Sequence, residues 1–78
     1  KKTMTKENIN KIASQIGITA EEFMQDCING SIFVFNVETL KDFWKEAELE
    51  TPFIEWVQHE INSRQLFTLD NTYFFMTT

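Results

Sequence analysis

The sequence predicts a small α+β domain, with about four helices and a two- or three-stranded antiparallel sheet. Three observations predict it. Four stretches place apolar residues at helical spacing behind a capping residue. Three short runs rich in β-branched and aromatic residues lie between turn residues. The chain has 78 residues, enough for a single domain with a small core and marginal stability.

Residues 1–4 are expected to fray. Thr5 can cap a first helix, with Ile9, Ile12, Ala13 and Ile16 on one face; Gly17, free to turn left-handed, ends it. Thr19 caps a second, and Glu22 three residues on completes a capping box. Ala20, Phe23, Met24, Cys27 and Ile28 follow at helical spacing, and Asn29-Gly30 closes the helix. Ile32, Phe33, Val34 and Phe35 read as a short buried strand.

Asn36 caps a third helix carrying Val37, Leu40, Phe43, Trp44 and Ala47 on one face. Pro52 stops it and opens a fourth, taking the first helical position behind Thr51 as cap. Phe53, Ile54, Val57 and Ile61 form the fourth stripe, which leaves Trp56 off the line and on the surface. This pair, 36–64, is expected to organise the domain, its two stripes facing across a short turn. Residues 65–69 and 72–76 read as strands around Asp70-Asn71. Two strands across this two-residue turn make a hairpin, though Asp-Asn suits such a turn less well than Asp-Gly, which leaves a longer loop as the alternative. A lone hairpin is barely stable, so the 32–35 strand should join it. Residues 73–76 are apolar on both faces, and one face needs a cover, such as a dimer contact through Phe74 or Phe75.

Charge separates along the chain. The net charge is −5. Residues 1–19 set four lysines against Glu7, while residues 20–60 set ten carboxylates against Lys41 and Lys45, a local balance of −8. An acidic body repels phosphate backbones and attracts basic partners. Cys27 is the only cysteine, so no internal disulfide exists, and a reducing, cytoplasmic setting is consistent with it. No run approaches the ~20 apolar residues of a membrane span, and no signal-peptide pattern is present.

The sequence holds no catalytic, cofactor or metal motif. His59 is the only histidine, so His59-Glu60 lacks the second histidine of a zinc-protease helix. Cys27 and His59 would make a nucleophile and base only if the fold joined two distant helices. Two glycines leave no glycine-rich phosphate loop. The chain is therefore expected not to be an enzyme.

From Thr19 to Met76 the order helix, strand, helix, helix, strand, turn, strand resembles a winged helix-turn-helix domain. That resemblance implies that 52–64 is the recognition helix and Asp70-Asn71 the tip of a short wing. Locally, Ile12-Ala13, Gly17-Ile18 and Phe23 resemble the core pattern of repressor-type helix-turn-helix units, a pattern that encodes the packing of two helices about a tight turn. Base reading needs Arg, Lys, Asn or Gln aimed at base edges, with cations for phosphates. The 52–64 segment offers Glu55, Gln58, His59, Glu60 and Asn62, with Arg64 alone at its end. Direct nucleic-acid binding is therefore not expected.

The expected function is a non-enzymatic protein-interaction domain, an acidic adaptor or DNA-mimic-like inhibitor whose partner presents a basic surface. The chain resembles in this the small acidic inhibitors encoded by phages and mobile elements. The expected contact residues are Trp56, Glu55, His59, Glu48, Glu50 and Phe75. Trp44 is expected in the core. The alternative is a DNA-binding transcriptional regulator of winged helix-turn-helix type, acting as a homodimer.

Overall fold

A computed structural model describes residues 5–77. The sequence-predicted fraying of residues 1–4 lies outside the described residues. The order is α1 (Lys6–Ile16), α2 (Ala20–Ile28), β1 (Ile32–Phe35), α3 (Val37–Glu46), α4 (Phe53–Asn62), β2 (Leu66–Leu69) and β3 (Thr72–Met76). The protein is thus an α+β domain with four helices and one three-stranded antiparallel sheet.

The helix starts follow the capping residues. The Thr5 hydroxyl accepts from the Asn8 amide at 3.1 Å. Thr19 and Glu22 bond reciprocally to each other's backbone, both at 3.0 Å. Asn36 and Thr39 repeat the device at the head of α3, at 2.8 and 2.9 Å. Each such cap satisfies an amide that the first helical turn leaves without a partner. Gly17, at φ 98°, closes α1 in the left-handed region. α4 differs from the expectation: Pro52 itself is the cap, the helix begins at Phe53, and no side chain caps it. Thr51 instead lends its carbonyl to the Trp44 indole N–H at 2.9 Å, which ties the α3–α4 loop down.

The strands lie in the order β1-β3-β2, so β3 is central and both neighbours are edges. The hairpin closes over the two-residue turn and not over a longer loop. Leu69 pairs with Thr72, leaving only Asp70 and Asn71 between the strands, at φ 54° and 62°. Positive φ at both central positions is the type I′ geometry that matches strand twist, and Asp and Asn tolerate it.

Strand side chains alternate between faces, and here each face meets its own helix pair. Ile32, Phe67 and Phe74 pack with Ile12, Ala13 and Phe23 of α1 and α2. Leu66, with Phe35, Tyr73 and Phe75 around it, packs with Leu40 of α3 and Trp56 of α4. The result is three layers with the sheet in the middle. It accounts for the near-continuous apolar runs 32–35 and 73–76, since strands covered on both faces do not alternate with polar residues.

Two expectations are corrected here. The α3–α4 pair does not organise the domain; β3 does, since it alone pairs with both other strands and so holds together the sheet on which both helix pairs pack. The second face of 73–76 is covered from within the chain, so neither Phe74 nor Phe75 is left bare. Phe74 is fully buried, and Phe75 lies 5.5 Å from Phe43 and 6.3 Å from Trp56, ring centroid to centroid.

Candidate interaction surface

The expected contact residues divide into two sets. Trp56 is only 7% exposed, which overturns its assignment to the surface. The buried stripe of α4 runs through Phe53, Trp56, Val57 and Ile61, and Ile54 is the residue left outside at 75% exposure. Both stripes fit helical spacing. The one that buries the indole removes more apolar surface from water, so it wins. Phe75 is likewise an inward residue of the second core. Trp44 is half-buried against Phe53, as a core residue should be.

Glu48, Glu50, Glu55 and His59 are all exposed. They sit on the α3–α4 loop and the outer face of α4. Glu48, at φ 54°, turns the chain out of α3 in the left-handed region. Residues 46–60 hold five glutamates and no lysine or arginine. Leu49 and Ile54 are exposed among these carboxylates. The signal that would have found Ile54 is stripe width, since a helix against one sheet face buries one residue fewer than the full apolar set.

Arg64, the one cation at the end of α4, is exposed but held by neighbouring elements. Its Nη2 donates to the Gln15 carbonyl at 3.0 Å, and its guanidinium lies 5.2 Å from the centre of the Phe67 ring. It thereby joins the end of α4 to α1 and β2. Lys41 lies similarly over Phe53, at 5.6 Å.

The chemistry of the remaining candidates is plain. Cys27 packs with the α1–α2 core, and His59 projects from α4 on the other side of the sheet, so the fold does not bring them together. Burial, and then the neighbouring Asp26 carboxylate, push the Cys27 thiol up from its ordinary value, away from the thiolate a nucleophile needs. Among the described residues no group of three or more His, Cys, Asp or Glu side chains is placed to hold a metal ion. None of the described helices is long and apolar enough to cross a membrane.

A second exposed set went unread in the sequence. Met24, Ile28, Phe33, Val34 and Val37 are all exposed. They come from α2, β1 and the head of α3, and from Cys27 to Val37 the chain holds no charged side chain. That uncharged interval was the available signal.

Comparison with known proteins finds no match: no family model fits the chain, and no curated protein or solved structure matches it.

Proposed function

We propose that the chain is a non-enzymatic protein-interaction domain whose acidic α3–α4 end binds a basic surface on a protein partner. One observation carries this: exposed Leu49 and Ile54 lie among Glu48, Glu50 and Glu55 with no cation between residues 46 and 60. Apolar contacts supply the affinity of such a surface, and the carboxylates supply steering and selection of partner. An acidic adaptor and an inhibitor that imitates nucleic acid are two forms of the same function.

The winged helix-turn-helix regulator is the weaker alternative. The element order suits it, but the outer face of α4 presents Ile54, Glu55, Gln58, His59 and Asn62, and Gln58 and Asn62 already bond each other at 3.1 Å. Arg64, the cation at the end of that segment, is engaged by the Gln15 carbonyl and the Phe67 ring.

The test compares the wild type with the double variant Glu50→Lys/Glu55→Lys in affinity capture from lysate, with and without nuclease. The expected result is a protein partner that survives nuclease, weakens with salt, and is retained at least about tenfold less by the variant. Recovery of nucleic acid, or a partner held equally by the variant, would sink the proposal.

A further inference from the structure

We propose that β1 is a homodimerisation edge, at which a second copy of this chain pairs antiparallel to it about Val34. This is independent of the acidic surface, which lies at the other end of α3.

The ladder geometry makes Val34 the pivot. The Thr77 amide donates to the Ser31 carbonyl at 3.0 Å, so hydrogen-bonded pairing with β3 falls on Ser31, Phe33 and Phe35. The Val34 N–H and C=O therefore point away from β3, at the open side of the sheet. Ile32 has the same orientation but is 2% exposed, and the Asn36 amide already donates to Thr39. The free edge is thus centred on one residue that offers both a donor and an acceptor. Two copies related by a two-fold axis through that point satisfy each other, Val34 to Val34, with two hydrogen bonds.

The side chains fit the same axis. With Val34 opposite its own copy, Phe33 falls opposite the second copy's Phe35, an aromatic cross-strand pair. On the other sheet face the two α2 helices come alongside, and their exposed Met24 and Ile28 flank the Val34 pair. The dimer would join two three-stranded sheets into one of six strands.

Charge leaves this edge open to a second copy and draws a basic partner elsewhere. Each copy carries −5, so most approaches between copies are repulsive. The Cys27–Val37 interval holds no charge, and contact there leaves the carboxylates in water. A basic partner would be drawn to residues 46–60 instead. Its shortness apart, β1 carries none of the devices that protect an edge: it has no lysine, no proline and no bulge in its register.

Sedimentation velocity of the folded chain from about 10 μM to about 1 mM tests this, since a two-bond ladder with apolar flanks implies a weak dimer. The expected wild-type mass rises with concentration toward twice 9.2 kDa. Val34→Lys, which sets like charges directly opposite, should weaken the dimer at least about tenfold while circular dichroism stays unchanged. If that variant unfolds, Ile28→Lys decides, because Ile28 is 80% exposed and its replacement leaves the core intact. A wild type that stays monomeric throughout the range overturns the proposal. So does a dimer that the folded lysine variant leaves undiminished.

Discussion

The two faces of the sheet are packed by different means. On the α1–α2 face six residues are buried, three aliphatic and three phenylalanine, with Phe23 edge-on to Phe74 at 5.5 Å. On the α3–α4 face only Leu40, Trp56 and Leu66 are buried, surrounded by eight half-buried residues of which six are aromatic. Rings such as Phe35, Phe43 and Phe75 stack at 5.5–5.6 Å and fill volume, but their edges reach solvent. The contrast assigns stability to one face and adaptability to the other. A core of fully buried, interdigitated side chains has little slack, whereas a half-buried aromatic layer tolerates movement of the helices above it. The proposed acidic surface sits on the adaptable face.

Adjacent residues of β3 put this contrast to the strongest test. Phe74 points into the first core and is fully buried; Phe75 points into the second and is half-buried. Phe74→Ala should lower stability by about 3–5 kcal/mol, most of what a domain this small has. Phe75→Ala, losing less burial, should lower it by about 2 kcal/mol. Urea unfolding followed by circular dichroism measures both. Equal losses would mean that the two faces contribute alike and that exposure is a poor guide to their packing.

Trp56 is the largest of the three buried side chains on the second face. Trp56→Ala should cost about 3 kcal/mol and loosen α4, seen as faster amide exchange in α4 than in α1. A folded variant with unchanged exchange would put the anchor elsewhere, Leu40 being the other fully buried helical residue there.

Local signals were the legible ones. Thr5, Thr19, Asn36 and Gly17 each mark a helix end by chemistry contained within four residues, and each functions as the sequence implied. Trp56 was misread because α4 carries more apolar residues than one stripe can hold, and the choice between Ile54 and Trp56 depends on what α4 packs against. That is tertiary information. So is the split of the helices between two faces: the apolar runs 32–35 and 73–76 signalled that both faces needed cover, but not that the chain supplied it itself. Of the candidate site, the carboxylates were legible as charge and the apolar residues among them were not.

Capping separates the two faces by a smaller amount. The reciprocal box at Thr19 holds the head of α2, whereas α4 starts without a side-chain cap. Thr19→Ala should cost about 1 kcal/mol. Thr51→Ala should be near neutral, since only the Thr51 carbonyl is used and alanine retains it. Thermal melts resolve this difference. A loss at Thr51 matching that at Thr19 would restore Thr51 as the cap of α4.

Cys27 gives the finest probe of the first face. Burial, then Asp26, raise its thiol above the ordinary value, so above that value the folded state holds a proton that the unfolded chain gives up. More protons bound in the native state means that stability falls as pH rises. The contribution is complete below the unfolded thiol's pKa and is lost as pH climbs toward the folded one. The informative quantity is a difference between two proteins, in which every other group cancels. Urea unfolding at about pH 7, 8.5 and 10 should show a steeper decline for the wild type than for Cys27→Ala. Parallel declines would place Cys27 in an environment as open as water, and the first face would then be looser around α2 than its buried neighbours Phe23 and Ile32 imply.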